Sequence, residues 1–203
     1  MEELKTKREL DITQWLMGKK ITGVTYYLMN RDAYLHPDSP IQLIDAGVQL
    51  ELNNNEYVTF GWNFEFAILD MHAVSFVDKL KSFNHELPYL EKPANADAQW
   101  KELIGATVEG VRFAWNWFID MDEKTHYVPQ DIEILLSDGK YIAICTTAYS
   151  VNEEGITIAH PDSEGELLVL FSEEDTKFYK RGSYYESPAE SPEAQKNNEE
   201  EFF

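Results

Sequence analysis

The sequence predicts an α+β protein, mainly antiparallel β-sheet, whose two similar β-rich units pack into one pseudo-symmetric globule. Three observations support this prediction: a pattern that occurs twice, a hairpin signature at the matching place in each copy, and a short helical stretch ahead of each unit. The chain has 203 residues, of which 43% are hydrophobic. That fraction is typical of a folded protein with a sizeable core.

The repeated pattern covers residues 14–24 and 99–111, with two residues inserted after the tryptophan of the second copy. Each copy contains Gln-Trp, an apolar pair and a glycine, followed by an apolar residue, a variable residue and Gly-Val. Further on, residues 48–60 align without gaps with residues 132–144. This self-similarity indicates an internal duplication. The predicted units are residues 1–90 and 91–182.

A short helix is predicted in each copy between an aspartate and a glycine. Asp11 and Asp97 are the expected N-caps, because a carboxylate oxygen accepts hydrogen bonds from N–H groups of the first helical turn. Gly18 and Gly105 are the expected stops, because glycine adopts a positive φ at little steric cost. The strands that follow are predicted to start at Ile21 and Val108.

Two hairpins are predicted from alternating runs joined by turn-forming residues at 53–55 and 137–139, since Asn, Asp and Gly tolerate a positive φ. Apolar residues at period two place one strand face of each hairpin in the core. The residues on these faces are Val48, Leu50, Leu52, Ile132, Ile134 and Leu136. Further strands are expected at 64–69, 74–77, 156–159 and 167–171, with a surface linker at 81–96.

The charge of the chain favours some partners and excludes others. There are 17 Lys and Arg against 37 Asp and Glu, which gives a formal net charge of −20. A nucleic-acid partner is not expected, because phosphate binding needs clustered basic residues. A basic protein partner is favoured, because the negative field would attract and steer it. Acidity of this size more often only keeps a bacterial-type protein soluble.

The compartment is predicted from the N-terminus and the cysteine count. Residues 1–5 lack a signal-peptide pattern, and no apolar run approaches the length of a membrane span, so we expect no membrane partner. Cys145, the only cysteine, excludes an internal disulfide and fits a reducing compartment. We therefore expect a cytoplasmic protein.

Four aromatic residues form the candidate binding patch: Trp62, Phe113, Trp115 and Trp117. Phe113, Trp115 and Trp117 alternate along the sequence, so a strand would project them from one face. Such a row can stack on bases or sugars, or can fill a core. The sequence leaves both interpretations open.

Other reactive residues are interpreted without a catalytic or metal role. Asp120, Asp122, Glu123 and His126 lack the glycine and the distal glutamate of a calcium loop, so we interpret them as a solvated connection. Cys145 would need a nearby base to act as a nucleophile, and His126 is its nearest histidine in sequence. No common catalytic motif is present. We expect no cofactor, no metal and no enzymatic activity.

The C-terminal residues 183–203 are rich in Ser, Pro and Glu and are predicted to be a disordered acidic tail. The tail ends in Glu201, Phe202 and Phe203, an arrangement that can dock into an apolar pocket with a basic rim. These last residues resemble the acidic, Phe-ended tips of bacterial single-stranded-DNA-binding proteins, without the proline that precedes the last residue there.

Three functional hypotheses follow from the sequence. The first is a non-catalytic acidic protein that binds a basic protein, as toxin-neutralising immunity proteins and nucleic-acid mimics do. The second is a binder of a small molecule or glycan that uses the aromatic patch, with enzymatic activity left open. The third is a scaffold module that acts through its tail. The sequence does not determine the oligomeric state.

Overall fold

The computed structural model describes residues 2–29, 41–53, 55–63, 68–82, 90–119, 125–151, 157–160 and 166–176. These residues form an α+β structure with two mainly antiparallel sheets. The helices are α1 (Glu2–Leu16), α2 (Phe76–Ser82) and α3 (Ala98–Leu103). The strands are β1 (Ile21–Leu28), β2 (Ile41–Ile44), β3 (Gly47–Leu52), β4 (Glu56–Asn63), β5 (Ile68–His72), β6 (Leu90–Pro93), β7 (Val108–Ile119), β8 (Thr125–Leu136), β9 (Tyr141–Val151), β10 (Thr157–His160) and β11 (Glu166–Leu170).

The strand order places all strands of sheet 1 in residues 21–93 and brings one N-terminal strand into sheet 2. Sheet 1 has the order β5-β4-β3-β1-β6, and sheet 2 has the order β2-β11-β9-β8-β7, with β10 also paired to β9. Strand β2 comes from the N-terminal half but pairs with β11. Strand β6 follows α2 in the sequence and pairs with β1.

Four strands of each sheet follow one another in the same spatial order, β1-β3-β4-β5 in sheet 1 and β7-β8-β9-β11 in sheet 2. Ile21 pairs with Leu52 at the start of the first set, and Val108 pairs with Leu136 at the start of the second. In both sets the register shifts immediately after this pair. The two sets therefore share their strand order and the position of this irregularity.

The main core lies where the inner faces of both sheets meet α1 and α3. The six predicted core positions of the hairpins are all at most 2% exposed, which confirms that prediction. A buried polar chain crosses the core, in which the Trp100 indole donates to the Tyr26 hydroxyl and that hydroxyl donates to Gln42 Oε1. This chain joins α3, β1 and β2, because each polar group supplies a partner to the next.

The helix predictions are confirmed at their C-terminal ends and partly wrong at their starts. Gly18 and Gly105 have φ values of 73° and 90°, as expected for glycine stops. Helix α1 begins at Glu2, so Asp11 lies inside it and is not an N-cap. Good helix formers such as Glu, Leu, Lys and Arg precede Asp11 and extend the helix. Asp97 occupies the N-cap position of α3, as predicted. Its carboxylate lies 3.7 Å from the Lys92 ammonium.

Both predicted hairpins are present, as β3-β4 and β8-β9. Their turns contain the expected positive φ values, 59° at Asn55, 64° at Asp138 and 71° at Gly139. Strands β1 and β7 start at the predicted residues. Strands β10 and β11 lie within one residue of their predicted starts.

The strand predicted at 74–77 is wrong, because this segment leads into helix α2. The Ser75 hydroxyl accepts a hydrogen bond from Asp78 N at 3.2 Å and donates one to Asp78 Oδ2 at 2.7 Å. This reciprocal pair caps the first turn and favours a helix. The predicted linker 81–96 contains strand β6, and β2 was not predicted. Residues 64–67 and the tail 183–203 lie outside the described residues.

Candidate functional site

Sheet 1 has an apolar inner face, which packs in the main core, and a largely polar outer face. Strand alternation directs Val58 and Phe60 of β4 into the main core, so the residues between and around them face outward. On β5, Met71 joins the core, and Asp70 and His72 lie on the opposite face. The residues of this outer face are Thr25, Tyr27, Gly47, Gln49, Glu51, Tyr57, Thr59, Gly61, Asp70 and His72.

Helix α2 covers part of this face over a pair of glycines. Gly47 and Gly61 are cross-strand partners, and a side chain at either would meet the ring of Phe76. The glycines therefore leave a notch that the Phe76 ring fills. Tyr27 stacks on the same ring, with centroids 4.2 Å apart and an interplanar angle of 19°. The backbone N–H of Phe76 donates to Gln49 Oε1 at 2.8 Å.

The same helix buries a lysine against the sheet. Lys79 is 1% exposed, and its ammonium lies over Gly61, where an added Cβ would be 3.3 Å from Nζ. Burial lowers the pKa of Lys79 to about 8, and the Arg8 charge also lowers it, although the Asp70 carboxylate acts in the opposite direction. A lysine at this position therefore holds its proton less firmly than an exposed one.

Asp70 is the centre of a cluster of ionisable groups from three elements. Arg8 Nη2 on α1 donates to Asp70 Oδ1 and, at 2.8 Å, to the carbonyl oxygen of Met71. His72 Nε2 lies 2.7 Å from Asp70 Oδ2. Burial alone would raise the pKa of Asp70, but the hydrogen bond and charge of His72, with the charges of Arg8 and Lys79, hold it below its usual range. We refer to Arg8, Asp70, His72 and Lys79 as the Lys79 cluster.

A groove of about 380 Å³ lies next to this cluster. Its walls include the rings of Trp15 and Tyr57 together with Lys19 and Glu56, which form an ion pair. The Arg8 guanidinium lies 5.9 Å from the centre of the Trp15 ring, so this tryptophan connects the groove to the cluster. The complete lining is Trp15, Lys19, Asn55, Glu56, Tyr57, Val58 and Ala73.

Two carboxylates lie at the other side of the outer face. Glu91 on β6 is the cross-strand partner of Tyr27, and Glu51 on β3 is the partner of Tyr57. Burial, followed by the negative charges of Glu91 and Glu51, raises the pKa of Tyr27 to about 12. Both carboxylates therefore act on one ring. We call Glu51, Tyr57 and Glu91 the acidic face.

The predicted aromatic patch is divided between the two sheets. Trp62 lies on β4 of sheet 1, whereas Phe113, Trp115 and Trp117 lie on β7 of sheet 2. Phe113 and Trp115 are half-buried, with ring centroids 6.5 Å apart and an interplanar angle of 33°. Phe113 packs against the main core, and Trp115 Nε1 donates to Glu9 Oε1 at 2.7 Å. The side chains of Trp62 and Trp117 lie outside the described set.

Cys145 is buried on the outer face of sheet 2 in a small apolar cluster. Its cross-strand partner is Asp131 on β8. His126 lies five residues from Asp131 along the same strand, a separation of roughly 16 Å at the usual rise per residue. Cys145 and His126 are therefore not neighbours.

Residues 120–124 and the tail residues Glu201, Phe202 and Phe203 fall outside the part of the chain that the structure describes. Among the residues that it does describe, no group of three or more His, Cys, Asp or Glu is arranged to hold a metal ion. No helix in these residues has the length and apolar character needed to cross a bilayer.

Comparison of the chain with protein-family models, curated proteins and solved structures gave no match.

Proposed function

We propose that this protein is a non-catalytic acidic protein that binds a basic protein partner. The observation that supports the proposal is the net charge of −20, because a field of this size attracts and steers a positively charged surface. In this proposal the protein acts in the cytoplasm, in the manner of an immunity protein or a nucleic-acid mimic.

Many basic side chains among the described residues are engaged within the chain. Arg8 pairs with Asp70, Lys19 with Glu56, Lys81 with Asp78 and Lys92 with Asp97, whereas Arg112 lies near both Glu133 and Glu173. Lys79 is buried, and the Lys140 ammonium donates to the carbonyl oxygen of Glu102. These cations offset acids beside them, so the excess negative charge is carried by carboxylates elsewhere, such as those of the acidic face.

The acidic face is the docking surface that we propose for the partner. Glu91 is exposed, and Glu51 and Tyr57 are half-exposed. Glu91 lies in the same row of the sheet as Gly47, and Glu51 lies four residues further along β3. Separate Lys or Arg side chains of the partner would therefore pair with the two carboxylates, and the one at Glu51 would lie beside the Tyr57 ring. Because the sheet backbone holds all three residues, the surface needs little rearrangement before binding.

The experiment compares two double variants that remove the same charge from different places. Glu51→Gln with Glu91→Gln changes the acidic face, and Glu102→Gln with Glu109→Gln is the control at two other exposed glutamates. Binding of a fluorescent octa-arginine peptide is measured by anisotropy at low and at moderate salt. We expect the first variant to weaken binding about tenfold or more and the control only about twofold, since a close charge pair contributes more than remote charge. Equal losses in both variants would contradict the acidic face as the docking surface.

We also infer that the two halves arose by duplication and form a pseudo-symmetric pair, with the units at residues 1–90 and 91–182. The common strand order and the common register shift support this inference. Two further parallels are the glycine stops Gly18 and Gly105 and the capped turns that follow β5 and β11. Ser75 caps the first of these turns, and Ser172 accepts from Asp175 N at 3.0 Å in the second.

The alternative function is binding of a small molecule or glycan. The residues that favour it line the groove and are not those of the predicted aromatic patch. Trp15 and Tyr57 line the groove described above, and its volume falls within the usual range for ligand sites. In that case the ligand would shift the fluorescence of Trp15.

A scaffold role through residues 183–203 is the third proposal, which deletion of these residues would test.

A further inference from the structure

The groove beside the Lys79 cluster is lined by two aromatic residues whose counterparts in the other half of the chain are buried. In the aligned segments, Trp15 corresponds to Trp100 and Tyr57 corresponds to Tyr141. Trp100 is 0% exposed and donates its indole N–H to the Tyr26 hydroxyl, and Tyr141 is buried in the small apolar cluster of sheet 2. Trp15 and Tyr57 are only half-buried, and both line the groove. The same two residue types thus fill space in one half and form an open surface in the other.

The ion pair of the groove is also confined to the first half. Lys19 corresponds to Ala106, and Glu56 corresponds to Lys140. An alanine and a lysine cannot form an ion pair, and the Lys140 ammonium donates to the carbonyl oxygen of Glu102. The second half therefore forms the same hairpin without an open aromatic surface and without this ion pair, so the architecture requires neither.

The walls of the groove are held in place by the fold. Gly18 N donates to the carbonyl oxygen of Val108 at 2.9 Å, and Val108 N donates to that of Lys19 at 2.9 Å, which fixes the residues after α1. Asn55 lies in the tight turn of the β3-β4 hairpin, with a φ of 59°, and Trp15 packs against the main core. A preformed wall loses little conformational freedom when a ligand binds.

The charges at the groove are already compensated within the chain. Glu56 pairs with Lys19, and the two side chains keep 47% and 25% of their surface exposed. Arg8, which lies over the Trp15 ring, pairs with Asp70. An anionic ligand would gain little from a lysine that is already paired, and the net charge of −20 would repel it. A cationic ligand would compete with Lys19 for Glu56 and with Arg8 for Trp15.

The chemistry of the lining fits a neutral ligand that carries several hydroxyl groups. The Glu56 carboxylate accepts hydrogen bonds and the Lys19 ammonium donates them, so this adjacent pair can bind two neighbouring hydroxyl groups. The Asn55 amide offers a further donor and a further acceptor. The π face of an aromatic ring is negative, so the rings of Trp15 and Tyr57 attract the C–H groups on the apolar face of a sugar ring.

We infer that this groove binds an uncharged saccharide, with Trp15 as the stacking surface and Lys19, Asn55 and Glu56 as the groups that bind hydroxyls. This inference rests on the alternative function, binding of a small molecule or glycan, and narrows its ligand to neutral sugars. It does not depend on the proposed docking of a basic protein. The volume of the groove, about 380 Å³, lies within the range of small-molecule sites.

The first test titrates the wild-type chain with the hexasaccharides of cellulose, starch, laminarin, mannan, xylan and chitin, one at a time. Proton–nitrogen correlation spectra report the indole N–H signal of each tryptophan, and Trp15→Phe identifies the signal of Trp15. We expect at least one of these neutral sugars to shift the Trp15 signal saturably, with a Kd below about 1 mM, while the buried Trp100 signal stays in place. No saturable shift of Trp15 with any of them would overturn the inference.

Charged sugars separate the ligand class from the site. The hexamers of galacturonic acid and of glucosamine carry anionic and cationic groups on similar rings, and they are titrated at moderate salt, which screens remote charge. We expect both to bind at Trp15 at least about tenfold more weakly than the best neutral sugar, because the local charges are already paired. Equal or tighter binding of either hexamer at Trp15 would overturn the inference and leave the alternative function in place. The octa-arginine assay reads the docking function separately.

Variants that fill the groove test the location of the sugar without removing a core contact. Ala73 is exposed and lines the groove, so Ala73→Leu should raise the Kd at least about tenfold by occupying the space of the ligand. Val77→Leu is the matched control, since Val77 is exposed on α2 and is not part of the lining, and it should leave the Kd unchanged. Glu56→Gln should weaken binding less than Ala73→Leu does, because the amide still accepts a hydrogen bond but without charge assistance. An unchanged Kd in Ala73→Leu, or equal losses in Ala73→Leu and Val77→Leu, would overturn the inference.

Discussion

A buried amine contributes to the way stability depends on pH above neutrality in this protein. The pKa of Lys79 is about 8 in the folded chain, against an ordinary value of 10.5. Between these values the unfolded chain binds the proton that the folded chain has released, so stability rises with pH in this window. The protonated lysine is thus a cost to folding near neutral pH.

We expect the wild type to gain on the order of 1–2 kcal/mol in unfolding free energy between pH 8 and pH 9.5, relative to Lys79→Met. Urea unfolding at several pH values measures this difference. Among the described residues, Asp70 and Arg8 are charged groups that act on the amine, and both chains retain them. The window stops below pH 10 because the raised pKa of Tyr27 makes stability fall with pH above that point. Parallel curves for the two chains would show that Lys79 is not buried as described.

The docking of α2 depends on the glycine notch in sheet 1. Gly47→Ala would place a methyl group against the Phe76 ring and the carbonyl oxygen of Phe60. Overpacking of this kind costs about 1–3 kcal/mol, and we expect a loss of that size in chemical denaturation.

The matched control for this change is the same substitution in a Phe76→Ala chain. With the ring removed, only the carbonyl oxygen of Phe60 remains close to the added methyl group, so Gly47→Ala should cost clearly less than in the wild type. A double-mutant cycle measures this coupling. Additive losses would mean that Phe76 does not occupy the notch.

Local pattern predicted the hairpins but not the elements that depend on distant contacts. The β3-β4 and β8-β9 pairs follow from period-two apolar residues and turn residues that lie close together in sequence. Strands β2 and β6 have only four residues each, and their partners lie far away in the chain. The segment 74–77, which leads into α2, was predicted as a strand from its short apolar run, whereas a cap and the glycine notch decide its structure.

The candidate site was missed in the sequence for the same reason. Arg8 and Asp70 are 62 residues apart, and no spacing rule joins a helix residue to the edge strand of a sheet. The predicted aromatic patch relied on alternation within one strand, but Trp62 belongs to the other sheet. Lys79 lies between Asp78 and Leu80, with Lys81 next, so its sequence context gave no signal of burial, and lysine is rarely fully buried.

The charge of the chain as a whole acts both on folding and on binding, with opposite responses to salt. A net charge of −20 repels itself in the compact state, and added salt screens this repulsion over a Debye length of about 10 Å at 0.1 M. We therefore expect the melting temperature to rise as sodium chloride increases from about 20 to 200 mM. The affinity for octa-arginine should fall over the same range, because screening weakens attraction between opposite charges. A melting temperature that falls with salt would show that internal ion pairs, such as Arg8 with Asp70, outweigh the net repulsion.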